Sequence, residues 1–264
     1  MLRKLLAKLS GNKPVQSLLE YLVFVCQYFQ GIGSGSSVGD SGEEAVFSRL
    51  LTANSTPCIF DVGANKGQFL QLALRSLGHR EAAVHCFEPS KEAFAELSRA
   101  VAGDARVTLN HCALGRARGE AHLFYDEAAS GLASMSKRNL EHIGVEFEQS
   151  EIINVETLDD YCQSTEVAHI DLLKIDVEGH ELDVLIGAES MFARGFIDMV
   201  LFEFGGANID TRTFFRDFYL CFNRFGMDIY RISPSGFFVP IVSYSEQQEQ
   251  FRTTNFFCVR RNLA

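Results

Sequence analysis

Residues 59–74 read IFDVGANKGQFLQLAL: an apolar run that stops near Asp61, a turn through Gly63 and Gly67 with Asn65 between them, then apolar residues at helical spacing. A strand that hands over to a helix through glycines is the entrance to a βαβ unit. The chain continues in kind. PCIFDV (57–62), AVHCFEP (83–89) and VTLNHCAL (107–114) have the character of strands. GQFLQLALRSLG (67–78) and KEAFAELSRAVA (91–102) have the character of helices, the first with Phe69, Leu70, Ala73, Leu74 and Leu77 on one side. Alternation of this kind predicts an α/β fold, a mostly parallel sheet with helices on both faces. Such sheets bind ligands beyond the carboxyl ends of their strands, which is where Asp61 to Gly67 fall.

The turn narrows the ligand. Gly63 and Gly67 allow tight turning and close approach by something bound above the first strand. A dinucleotide asks for GxGxxG, so that its pyrophosphate rests on the helix N-terminus. Here Asn65 holds the second glycine position, and the strand ends in an acid that repels phosphate and attracts an ammonium or a sulfonium. Glu88 ends the next strand, where a carboxylate accepts hydrogen bonds from ribose hydroxyls. A nucleoside joined to a zwitterionic amino acid, without phosphates, is S-adenosylmethionine.

Four blocks, DVGANKG (61–67), FEPS (87–90), HCALG (111–115) and LLKIDVEGHELDVLIGAE (172–189), resemble in order the motifs of the FkbM family of S-adenosylmethionine-dependent methyltransferases. The last block is the most specific, and the similarity runs from about Ser41 to Cys258. The resemblance implies a class I methyltransferase (Rossmann-like) fold with seven strands, the last antiparallel, and methyl transfer to a hydroxyl of a sugar or polyketide-type molecule. It also implies that Asp61, Gly63, Ala64, Asn65 and Gly67 cradle the methionyl portion, that Glu88 holds the ribose, and that Ala113 and Leu114 border the adenine.

IDLLKID (170–176) is a buried strand that brings Asp176 to the same crevice as Asp61, and EGHELDVLIGAESMF (178–192) follows as a helix with Leu182, Leu185, Ile186 and Ala188 facing the sheet. Glu178, His180 and Glu181 fall around its first turn, where acids suit the helix dipole. MVLFEF (199–204) brings Glu203 to a similar height. A hydroxyl acceptor holds its proton far above neutral pH, so a base nearby assists transfer. Asp176 is the first choice for that base, His180 the second, and Glu203 the third. Asp176 equally suits the cofactor's ammonium. Asp176 with Glu203 also suits Mg²⁺, the less favoured reading.

Ser130, Ser134 and Ser136, in the stretch 124–144, either line the acceptor side or belong to a solvated loop. MDIYRISPSGFFVPI (227–241) is two strands turned at Pro234-Ser235-Gly236, with Phe237 and Phe238 as candidates to pack on the acceptor, and NFFCVRR (255–261) is the last strand.

A formal net charge of −10 speaks against a nucleic-acid partner. The seven cysteines include no CxxC pair, which speaks against zinc, and Cys58, Cys86, Cys112 and Cys258 fall in strand-like runs as small buried hydrophobes. A reducing cytoplasm is expected. The first thirteen residues carry Arg3, Lys4, Lys8 and Lys13 and no acid, and LLEYLVFVCQYF (18–29) follows. That run is too short to span a bilayer, so a buried or domain-capping helix is expected, with peripheral membrane docking as the alternative. GIGSGSSVGDSGEE (31–44) is a loop, with a lid over the cleft as its functional alternative. Ser41 and Glu44 fit a capping box for the next helix, which leaves Glu43 without a role. The expected organisation is an N-terminal helical extension and loop (1–52) before a methyltransferase domain (53–264). The acceptor's identity and the oligomeric state are not legible. N-methylation and a catalytically silent cofactor-binding module are the alternative functions, and a nicotinamide dehydrogenase is a distant third.

Overall fold

The computed structural model describes residues 7–8, 10–35, 41–101 and 103–263. Arg3, Lys4 and the middle of the glycine-serine loop (36–40) lie outside them.

The central sheet has eight strands, one more than expected. β1 (Cys58–Val62), β2 (Ala83–Phe87), β3 (Val107–Asn110), β7 (Ile170–Ile175) and β8 (Ile197–Phe204) run parallel; β9 (Met227–Ile232), β10 (Phe238–Pro240) and β11 (Thr254–Arg260) complete the order β10-β9-β11-β8-β7-β1-β2-β3. β11 is antiparallel to both β8 and β9, as expected of the last strand, and β10 is the additional edge strand, antiparallel to β9. This is the class I methyltransferase strand order with a short hairpin added at one edge. All six residues of β7 are buried, because helices cover both faces of the sheet at its centre.

VTLNHCAL is not one strand. It breaks at His111–Cys112, and Ala113–Leu114 form β4, which pairs with β6 (Gln149–Glu156) and, through it, β5 (Gly119–Tyr125) in a separate three-stranded sheet. Cys112 therefore lies outside the strands, while Cys58, Cys86 and Cys258 lie within them; all seven thiols are free. The single helix expected after Asp176 is also two, α6 (Glu181–Ile186) and α7 (Glu189–Ala193), with α5 (Leu158–Ser164) before β7. The break is at Gly187, where a Cβ would stand 2.1 Å from the Gly115 carbonyl oxygen. Leu185 and Ala188 are buried as expected, but Val184 takes the inward place given to Ile186, which is exposed.

Apolar layers sit on both faces. α2 (Glu44–Ala53), α3 (Gln68–Leu77) and α4 (Lys91–Val101) cover one, where Phe47 meets Phe69 at 5.7 Å between ring centroids. α5 to α7 and α9 (Phe215–Arg224) cover the other, with α8 (Ala207–Thr211) ahead of α9. There Phe202 packs on Phe218 and Phe256 at 5.0 and 5.4 Å.

The capping box at Ser41 and Glu44 does not form. Glu43 is the residue before α2 and makes no cap bond; its carboxylate instead accepts from the Ser41 hydroxyl at 2.8 Å. α1 (Lys13–Phe29) is not a buried or capping helix either, for it has no buried residue. No described helix is long and apolar enough to cross a membrane.

Candidate active site

The ends of β1, β2, β7 and β8 and the start of β11 border a cavity of about 780 Å³, within the usual size of a small-molecule site.

The turn after β1 is built by hydrogen bonds to the next strand. Gly63 and Ala64 both donate to the Phe87 carbonyl at 3.0 Å, and Gly63 holds a left-handed φ of 83°. A Cβ at Gly63 would stand 1.8 Å from the Asp176 carbonyl oxygen. Its missing side chain thus makes room for the end of β7, a correction to the view that the space serves a ligand. Gly67 is left-handed too (φ 91°) and begins α3. Asn65, at φ 47°, donates its backbone N–H to Glu88 at 2.8 Å and points its side-chain amide at the Ser130 carbonyl.

Asp61 is buried, and its Oδ2 has no hydrogen-bond partner; nor has Asn65 Oδ1. Burial pushes the Asp61 carboxyl up to about 7, opposed by Lys174 and helped by the carboxylates of Asp176, Glu43 and Glu88. Burial likewise raises Glu88 to about 7 against the N–H groups of Ser90 and Asn65. Each Glu88 oxygen accepts one backbone N–H, at 2.7 Å from Ser90 and 2.8 Å from Asn65, so each retains a free lone pair. Ala113 and Leu114 border the cavity from β4.

Asp176 leaves β7 with its carboxylate facing the cavity and Oδ2 3.1 Å from Lys174 Nζ. Lys174 is buried within the strand end and also lies 3.7 Å from Glu43. Burial alone would lower the ammonium's pKa, but Asp176, Glu43, Glu203 and Asp61 together hold it above its ordinary value. Glu203 lines the same wall. Burial, then Asp176 and Glu178, raise its pKa well above the carboxylate range. Glu178 is raised to about 8, first by burial and then by Asp176, against its ion pair with Arg138.

His180 is not brought to the cavity wall. Its Nδ1 bonds Asp183 at 2.8 Å and its Nε2 bonds Ser136 at 3.0 Å, so both ring nitrogens are engaged in fixing the loop. Ser136 is thereby accounted for, while Ser130 and Ser134 line the cavity. Glu181 is buried and accepts from the N–H groups of Val177 and Gly179 and the amide of Asn208, which makes it a brace for the turn after Asp176. Phe237 is exposed and Phe238 packs on Phe257 at 5.0 Å; neither lines the cavity.

The lining residues that escaped the sequence reading include Glu43, Lys174, Arg138 and Asn255. Asn255 is opposite Glu203 in the β8–β11 register, buried, with neither amide atom hydrogen-bonded. An unpaired buried amide is costly, and here it faces a space that a ligand can enter. Asp176 and Glu203 belong to no group of three ligands close enough to share an ion. Among the described residues the one such group is His169, Asp171 and Asp198, at the opposite ends of β7 and β8. Its members are already committed: His169 and Arg260 hold Asp198, and Asp171 accepts from Asn54 and the Cys58 N–H.

Residues 61–227 match the methyltransferase FkbM domain. The chain is 28% identical over 157 residues to the 2-O-methyltransferase NoeI of Sinorhizobium fredii, covering 54% of this chain and 62% of that protein. It is 35% identical over 160 residues to the 31-O-demethyl-FK506 methyltransferase FkbM of Streptomyces tacrolimicus, covering 50% and 59%. It thus spans about three fifths of the length of these relatives. The crystal structure of methyltransferase FkbM from Methylobacillus flagellatus KT aligns at 15% identity and a TM-score of 0.47, over 77% of this chain and 44% of that one. The family match covers more than half of the chain and contains the turn after β1, Glu88 and the β7 strand end, so the protein belongs to the FkbM methyltransferase family.

Proposed function

We propose that the protein transfers a methyl group from S-adenosylmethionine to a hydroxyl of a small molecule or glycan. The observation that carries this reading is the buried, unpartnered Asp61 oxygen beside a turn that offers no phosphate cradle. A cationic amino-acid portion satisfies it. When bound, the cofactor supplies a methyl group on a sulfonium, a strong electrophile that needs no metal. Glu88 receives the ribose hydroxyls on its free lone pairs. Asp176 takes the acceptor's proton as the C–S bond breaks and the O–CH₃ bond forms. Glu203, whose pKa burial and the Asp176 and Glu178 carboxylates raise, faces the acceptor, and Asn255 supplies one donor and one acceptor to a neighbouring hydroxyl. NoeI and FkbM are both named as O-methyltransferases or demethyl-product methyltransferases, which supports the hydroxyl as target. Incubation with radiolabelled methyl donor and a panel of sugars and lipid-linked glycans tests the reading. Label in an alkali-stable ether supports it, and label only on amine acceptors overturns the hydroxyl assignment.

Cofactor affinity is expected to depend on pH. Asp61 and Glu88 each titrate near 7; only ionised Asp61 complements the cationic amino-acid portion, and only ionised Glu88 offers both oxygens as acceptors to the ribose hydroxyls. Affinity should therefore rise about tenfold or more between pH 6 and pH 8, following the tenfold-per-unit loss below a pKa. The same groups act oppositely on the free protein. Their raised folded pKa contributes stability that is full below about 4, their ordinary range, and lost as pH rises through about 7. Calorimetry at a series of pH values checks this, and a flat affinity profile contradicts it.

Glu88→Ala is expected to weaken cofactor binding by at least about tenfold, the equivalent of roughly 1.4 kcal/mol. Because the variant also releases the Asn65 and Ser90 N–H groups, the decisive readout is selectivity. Wild type should prefer the cofactor to its 2′-deoxy analogue and the variant should not; a retained preference removes Glu88 from the ribose.

A further inference from the structure

The helix α1 is inside out. Its polar side meets the domain: Gln27 bonds Gln250 at 3.0 Å and accepts from Arg252 at 2.7 Å, and the same guanidinium lies 5.0 Å from the ring centre of Phe24. Its apolar stripe, on the side away from Gln27, points to solvent, with Leu18 at 56%, Leu22 at 46% and Phe29 at 70% exposure. A surface helix normally does the reverse. The joint to the domain is firm, because Gly31 is pressed so close to the Ile232 carbonyl that a Cβ would stand 2.0 Å from its oxygen, and Gly33 and Gly35 both donate to the Thr253 carbonyl. The stripe is therefore presented outward by a fixed mount, and an exposed apolar surface of this kind marks a contact.

Charge identifies the contact. The thirteen residues that lead into and begin this helix hold four basic residues and no acid, in a protein of formal net charge −10. Lys8 and Lys13 are exposed. The exposed Lys8 and Lys13, ahead of and at the start of a helix with an outward apolar stripe and the exposed Tyr21 and Tyr28, suit an anionic lipid surface, where the helix lies in the headgroup plane. A second copy suits it poorly: the helix carries only Lys13 and Glu20 as charges to set a pairing.

We infer that α1 docks the protein on an anionic bilayer, parallel to its plane. Thr253 and Gly35, which join α1 to β11, also line the cavity, so docking brings that wall of the site toward the membrane surface and favours an acceptor presented there. The docking itself does not depend on the methyl-transfer reading.

Flotation of the full chain with vesicles tests the inference. Wild type should float with phosphatidylcholine vesicles containing about one third phosphatidylglycerol, weakly with phosphatidylcholine alone, and less in high salt. Leu22→Glu with Phe29→Glu should lower binding at least about tenfold with an unchanged unfolding temperature. Lys8→Glu with Lys13→Glu, which spares the apolar stripe, should weaken binding to anionic vesicles only. Wild type that stays soluble beside anionic vesicles overturns the inference, as does equal binding by the Leu22/Phe29 variant. A wild-type dimer that the Leu22/Phe29 variant splits, without vesicle binding, gives the stripe to a second copy instead.

Discussion

Asp176→Asn is expected to fold normally and to lose about 10² or more in turnover, the range for a group that moves a proton in the transition state. The amide preserves the shape beside Lys174, which keeps Glu43 at 3.7 Å, so the fold has little reason to change. Cofactor affinity should move by less than about threefold if the carboxylate serves the acceptor, and by about tenfold or more if it holds the ammonium. Steady-state turnover together with calorimetry separates these outcomes. Normal turnover in the variant would make Asp176 structural and pass the proton to Glu203.

Gly63→Ala is expected to destabilise the protein by roughly 2–5 kcal/mol, combining the left-handed penalty of a side chain with the cost of overpacking. The new Cβ would press on the Asp176 carbonyl at 1.8 Å, which forces the ends of β1 and β7 apart and misplaces both Asp61 and Asp176. Gly78→Ala provides the comparison. Gly78 also has a positive φ (58°) but has nothing within 4 Å of an added Cβ, so its cost is the backbone penalty alone, about 1–3 kcal/mol. Urea unfolding of the two variants measures the difference. Equal midpoints would mean that the close approach at Gly63 relaxes without cost.

The residues that end strands were the legible part of the site. Asp61, Glu88, Asp176 and Glu203 stand where an apolar run meets a turn, and a parallel sheet collects such positions at one edge whatever its tertiary detail. What local pattern does not encode is close approach between distant segments. The apolar alternation of VTLNHCAL continues through His111–Cys112 although the chain changes sheets there, and nothing around Gly187 announces that Gly115 will press against it. Glu43 was hidden by a local explanation for its neighbours: Ser41 and Glu44 fitted a capping box, yet the structure puts Ser41 against Glu43 and Glu43 against Lys174. Lys174 and Asn255 were passed over because a polar residue inside an apolar strand carries no mark of the cavity it faces. The exposure of α1 was missed for the opposite reason, since an apolar helix reads as buried unless its polar side is known to face the domain.

The pairing of Glu43 with Lys174 bears on how the cavity wall can vary. The matched family region begins at residue 61 and stops at 227, whereas Glu43 and Asn255 reach the cavity from the flanks on either side. One part of the wall assigned to the acceptor, Asn255, thus lies outside the stretch that holds the residues assigned to the donor. A change in either flank can alter the cavity wall while leaving the turn after β1 and Glu88 in place. A front segment without an acid at this position leaves Lys174 with Asp176, 3.1 Å away, as its nearest carboxylate. A change at the front is therefore felt in the charge balance around Lys174.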